Sequence, residues 1–158
     1  MTRWLTDEEQ VLWRSWLATN ASLHEAIEAD LRSHGLTQAD YEILAHLSEA
    51  PDGILRMTEL AGALLFSKSG LTYRVAHLEE RGLVERRSCG DDRRGVWAVL
   101  TKAGRRLIEE TAPSHVETVR AALIDHLRPE TKRALLADLD GLLDARRLPV
   151  HGDAHRHA

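Results

Sequence analysis

Residues 56–104 read "RMTELAGALLFSKSGLTYRVAHLEERGLVERRSCGDDRRGVWAVLTKAG", and the periodicity of the apolar positions changes at Gly82. Before that glycine, "TELAGALL" and "SKSGLTYRVAHLEERG" carry apolar residues at helical spacing, with only a few residues between them. After it, "LVERRS" and "VWAVLT" are short β-branched or aromatic runs on either side of "CGDDRRG", the pattern of a hairpin with a longer loop.

Two tandem helices that run into a basic hairpin predict a winged helix-turn-helix. The flanks predict further helices. Thr6 and Glu9 form a capping box ahead of Leu12, Trp16, Leu23, Ile27 and Leu31, and Gly35 stops that run. Thr37 and Asp40 open a second helix carrying Tyr41, Leu44 and Leu47, which ends before Pro51. From Thr101 the helical pattern returns, with Pro113 expected to kink or break it. Pro129 starts a last helix striped by Leu135, Leu136, Leu139, Leu142 and Leu143. The expected fold is mainly α with a small β-hairpin wing, in which a winged helix-turn-helix core is flanked by N- and C-terminal dimerisation helices. In residues, that is a single domain over 1–148, with a DNA-binding lobe at 36–103, dimerisation helices at 6–34 and 104–147, and a disordered tail at 149–158.

Charge distribution agrees with that layout. The chain carries a formal net charge of -4. The window from Arg56 to Arg106 is nevertheless +5, which leaves −9 for the remainder. Local cationic density, rather than whole-chain charge, governs attraction to a polyanion. A single cysteine excludes a disulfide framework, and neither a membrane-length apolar run nor a leader-like N-terminus is visible, so a soluble cytoplasmic protein is expected.

The helix after Ser67 has the face a major groove accepts. With Leu71 as origin and ~100° per residue, Val75 and Leu78 fall within about 40° of it, as a buried stripe. Ser69, Tyr73 and Ala76 then point outward, Thr72 and His77 lie beside them, and Lys68 and Arg74 sit where long side chains can reach phosphates. Ser67 leaves backbone N–H groups at the helix start for a phosphate.

The same 49 residues resemble the DNA-binding core of the MarR family of bacterial transcription regulators: "ELA", the serine-rich helix start, "LEERGLVERR", "DRRG" and "LTKAG" fall in that family's order and spacing. The resemblance implies that Asp92 holds the hairpin in shape while Arg94 extends to a minor groove, a setting whose concentrated negative potential suits arginine. Arg93 joins Arg94 at the wing tip, and Arg86 and Arg87 on the strand are expected phosphate contacts. The bland alternative is a solvated turn in which Asp91 and Asp92 neutralise Arg93 and Arg94. One departure stands out: many relatives carry arginine where Tyr73 stands, and here the arginine is one place later, at Arg74.

The flanking helices would expose apolar faces on a lone chain, which implies a homodimer, and a homodimer implies a pseudo-palindromic operator in double-stranded DNA with half-sites about 10 bp apart. The resemblance further implies a repressor released by a small-molecule effector that binds between the dimerisation helices and the DNA-binding lobe. Trp13, Trp16, His34, Tyr41, His46 and His115 are the candidates for that crevice, with core and dimer packing as their alternative role. No cofactor and no metal site are expected. His115 and His126 would lie about 16 Å apart on an unbroken helix, too far to share an ion, and His151, His155 and His157 sit in the tail. The chain lacks glycine-rich phosphate loops and HExxH spacing, so no enzyme is expected. Two alternatives remain: redox sensing through Cys89, whose neighbouring arginines would favour a thiolate, and a dimeric protein-interaction module that does not bind DNA.

Overall fold

The computed structural model describes residues 1–88 and 95–145, with backbone alone at 143–145. Helix α1 (Asp7–Ser33) leads to α2 (Gln38–Glu49), a short strand β1 (Ile54–Arg56), the tandem helices α3 (Met57–Ala63) and α4 (Lys68–Glu80), the hairpin β2 (Val84–Ser88) and β3 (Val96–Leu100), and then α5 (Lys102–Ala122) and α6 (Pro129–Ala145). The capping box read at Thr6 forms, and Thr37 with Asp40 makes a second. Glu9 N–H donates to the Thr6 hydroxyl at 3.2 Å, and Asp40 N–H donates to the Thr37 hydroxyl at 3.2 Å, with each carboxylate accepting from its cap residue's backbone in return.

The strands form an antiparallel sheet in the order β1-β3-β2. Strand β1 was not expected, because three residues carry no readable alternation and become a strand only by pairing Ile54 with Val99 and Arg56 with Trp97. Of the kink or break expected at Pro113, the break is corrected: α5 runs from Lys102 through Pro113 to Ala122 as one helix. Proline forfeits one helical hydrogen bond. Packing of α5 against α1 and α2 offsets that loss.

The core lies mostly in the middle of the chain. Leu44 and Leu47 of α2, Leu60 of α3, Leu71, Val75 and Leu78 of α4, and Val84 and Ala98 of the hairpin are essentially inaccessible. Helix α1 contributes only its C-terminal end, Ile27 and Leu31. Its outer part leaves Leu12, Trp13, Trp16 and Leu17 exposed. No helix among the described residues is long and apolar enough to cross a membrane.

Thr101 and Gly104 fix the junction between hairpin and α5. The Thr101 hydroxyl donates to the Gly82 carbonyl at 2.7 Å and accepts from Gly104 N–H at 3.0 Å, so one side chain caps α5 and ties it to the chain leaving α4. A Cβ at Gly104 would collide with the Leu83 carbonyl oxygen and lie 2.7 Å from Leu100 Cδ1. The "LTKAG" motif is thus a close backbone crossing that only glycine allows.

Candidate nucleic-acid interface

Helix α4 buries Leu71, Val75 and Leu78 and turns the opposite face to solvent. Ser67, Lys68, Ser69, Thr72, Tyr73 and His77 are all exposed, Tyr73 at 78%. Ser67 is the N-cap, its hydroxyl accepting from Gly70 N–H at 3.1 Å. The Thr72 hydroxyl donates to the Lys68 carbonyl at 2.8 Å, which leaves Tyr73 and Lys68 as the longest groups on this face. Arg74 behaves differently. It is half-buried, its guanidinium 5.3 Å from the Phe66 ring centre, and it borders a shallow groove shared with His24, Glu28 and Gln38 on α1 and α2.

Beside the N-terminus of α4 lies a cleft of about 370 Å³, lined by Arg56 and Thr58 at the start of α3, Lys68 and Thr72 of α4, and Arg86 and Val96 of the hairpin. The Arg56 guanidinium stacks 4.9 Å from the Trp97 ring centre, and β3 places Trp97 between Arg56 and Arg87 in register. Three elements thereby bring cationic side chains around one concavity, a charge arrangement that fits a phosphate backbone.

The two strand arginines have carboxylate partners. Arg86 gives Glu79 its backbone N–H at 3.0 Å and its Nε–H at 2.8 Å, with Nη2 2.6 Å from the same carboxylate. Those bonds, the backbone one foremost, hold the Glu79 carboxyl below the ordinary glutamate range. Arg87 pairs with Glu85 at 2.8 Å on the exposed strand, a pair that solvent screens. Cys89, Asp92, Arg93 and Arg94, and the tail histidines, lie outside the described residues.

A second polar cluster lies where α1, α2 and α5 meet. His34 Nε2 and Ser114 Oγ share a hydrogen bond of 2.9 Å, and the Tyr41 and His115 rings sit 4.2 Å apart between centres, tilted by 42°. His115 Nδ1 and Asp30 Oδ2 are buried without a hydrogen-bond partner among the described residues. Burial lowers the His115 pKa against the opposing pull of Asp30 and Glu42, and burial likewise raises that of Tyr41, with Glu49 and Asp30 adding to it. His46 Nδ1–H donates to the Glu42 carbonyl within its own helix at 2.9 Å. Trp13 and Trp16 stand apart from this cluster: Trp16 precedes Asp30 by about 21 Å of helix. Trp13 lines a surface depression with Trp4, Leu5 and Arg14.

Sequence reasoning found the α4 face and the His34, Tyr41 and His115 grouping but missed Asp30, Glu79, Arg81 and the Arg56 side of the cleft. The signal for Glu79 was present in "LEERGLVERR", where acid and base face each other across the turn at Gly82.

Comparison with known proteins gives a consistent result. The family described as "MarR family" matches residues 34–95. The chain superposes on AbsC, a MarR family transcriptional regulator from Streptomyces coelicolor, with a TM-score of 0.90 and 44% identity, over 92% of this chain and 99% of that one. For Sco3205, a MarR family regulator of the same organism solved in complex with DNA, the TM-score is 0.86 and the identity 38%, over 92% and 95% of the two chains. The transcriptional repressor YetL of Bacillus subtilis is 28% identical over 142 residues, covering 90% of this chain and 83% of YetL.

Proposed function

This chain belongs to the MarR family of transcriptional regulators, and we propose that it works as a homodimeric repressor that binds a pseudo-palindromic site in double-stranded DNA and is released by a small-molecule effector. The carrying observation is the α4 face: Lys68, Ser69, Thr72, Tyr73 and His77 stand exposed beside a cleft rimmed by Arg56, Lys68 and Arg86. Base edges are read by Tyr73 with Ser69, Thr72 and His77, while Ser67, Lys68, Arg87 and the wing arginines Arg93 and Arg94 hold phosphate or minor groove, with Asp92 shaping the wing. Arg86 contributes mainly by fixing the hairpin to Glu79, and Arg74 by packing on Phe66. The DNA complex of Sco3205 at 38% identity supports this reading, as the likeness to YetL supports repression.

The lobe over 36–103 supplies DNA contacts, and 6–34 with 104–147 supply the dimer. Leu12, Trp13 and Trp16 on α1, Val116 on α5 and Leu136 and Leu142 on α6 are exposed apolar side chains on the helices assigned to the dimer, the kind a second copy covers. We assign the effector site to the cluster of His34, Tyr41 and His115, where His115 Nδ1 and Asp30 Oδ2 are buried without hydrogen-bond partners among the described residues. His46, on α2 with Tyr41, is its outer candidate, whereas Trp13 and Trp16 stand apart and serve the dimer surface. Selection of bound sites from random DNA, followed by titration of the selected duplex at two salt concentrations, tests this reading. A palindromic site with steeply salt-dependent affinity supports it, and recovery of no enriched sequence rejects it.

A further inference from the structure

Arg81 is the first residue past α4, and its side chain turns back to the elbow between α1 and α2. Its Nη2 donates to the Gly35 carbonyl at 2.9 Å, across 46 residues of chain, and its Nη1 lies 3.8 Å from Asp40 Oδ2. Both acceptors are fixed. Gly35 has φ +71 in the turn that ends α1, where its own N–H donates to the Arg32 carbonyl. Asp40 is 4% exposed and accepts the Thr37 N–H at 3.1 Å as the acid of the capping box that opens α2.

The same elbow is tied on its other side to α5. His34 bonds Ser114, and Tyr41 packs on His115. Residues 34–41 therefore touch the end of α4 through Arg81 and the middle of α5 through His34 and Tyr41. Two residues before Arg81, Glu79 holds Arg86 of the hairpin. The C-terminal turn of α4 is thus pinned to the hairpin by Glu79 and to the elbow by Arg81, two residues later.

We infer that Arg81 is a positioning residue for DNA recognition, which sets the placement of α4 on the α1–α2 elbow through Gly35 and Asp40 without itself touching DNA. A planar guanidinium that engages two fixed acceptors restrains both rotation and sliding of the helix end, which an ammonium on a flexible stem does not. Base contacts need their supporting residues held to within about 0.5 Å, so a looser anchor degrades selective contacts while leaving general attraction to phosphate intact.

This inference rests on the DNA-binding reading above, and the test separates the two. Full-length wild type, Arg81→Lys, Arg81→Met and Asp40→Asn would be compared by thermal melting, by amide hydrogen exchange over residues 34–41, and by affinity for the selected duplex and for a random duplex of equal length. The expected result for Arg81→Met is a near-native melting temperature, faster exchange in the elbow, and a loss of about tenfold for the selected duplex with random-duplex affinity unchanged. Arg81→Lys restores little of this, and Asp40→Asn shifts the affinity ratio in the same direction. Equal losses on both duplexes would make Arg81 a phosphate contact and overturn the inference, as would unchanged exchange in the elbow. If Arg81→Met does not fold, Arg81→Lys and Asp40→Asn decide by the same two readouts. If wild type selects no DNA, the functional reading fails, and the exchange data alone decide whether Arg81 anchors the elbow.

Discussion

Glu79, in the last turn of α4, accepts hydrogen bonds from both the backbone and the guanidinium of Arg86 on β2, with a closest approach of 2.6 Å. The wing strand is therefore fastened to the helix it accompanies, and an arginine that reads from sequence as a phosphate contact is held by its own protein. Glu79 is the group whose ionisation this fastening requires. Its folded-state pKa is lowered from the ordinary 4.5, so the stabilisation is present above that value and is lost as pH falls through the lowered one. The melting-temperature gap between wild type and Glu79→Gln should be widest above about pH 5 and narrow as pH falls below the ordinary glutamate value. A gap independent of pH would mean the carboxylate charge plays no part.

Gly104 tolerates no side chain. Its absent Cβ is the space filled by the Leu83 carbonyl and Leu100 Cδ1. Gly104→Ala should destabilise the fold by about 1–3 kcal/mol, read as a lower midpoint of denaturant unfolding at unchanged slope. Gly62→Ala, where a Cβ meets open space, is the control and should be neutral or slightly stabilising.

His115 sets an acid limit on stability. Burial lowers its pKa in the fold below the ordinary 6.5, although Asp30 and Glu42 pull the other way. The unfolded chain therefore binds the proton first, and stability contributed by the neutral ring is lost as pH falls below 6.5. Wild type should lose more melting temperature than His115→Gln between pH 7.5 and pH 5.5. Parallel slopes would show that the ring does not titrate differently on unfolding.

The exposed apolar side of α1 predicts the assembly. Leu12→Asp combined with Trp16→Asp should raise the dissociation constant of the dimer at least about 100-fold, measured by analytical ultracentrifugation, with helical content retained. A double variant that sediments like wild type would place the dimer contacts elsewhere.

What the sequence discloses and what it hides follow from the range of each interaction. The capping box at Thr6, the helix start at Thr37, the Leu71, Val75 and Leu78 stripe and the two strands of the hairpin obey rules that act within about four residues or along one strand, and these are legible. The MarR resemblance extended this reading to the whole lobe through motifs such as "LTKAG", whose physical basis at Gly104 appears only once α5 and Leu83 are seen in contact. Strand β1 exists through its partner β3, and α5 survives Pro113 through packing on other helices. Arg81 reaches Gly35 across 46 residues, which no local pattern encodes.

If the exposed face of α4 reads DNA, Tyr73→Ala is the most direct probe, because that side chain is 78% exposed and its loss leaves the core untouched. Anisotropy titration of wild type and Tyr73→Ala against the selected duplex and a random duplex, at low and moderate salt, is the measurement. Tyr73→Ala should lose about 1–3 kcal/mol on the selected duplex while its random-duplex affinity and salt slope stay at wild-type values. Indistinguishable binding of the selected duplex by the two proteins would contradict that reading.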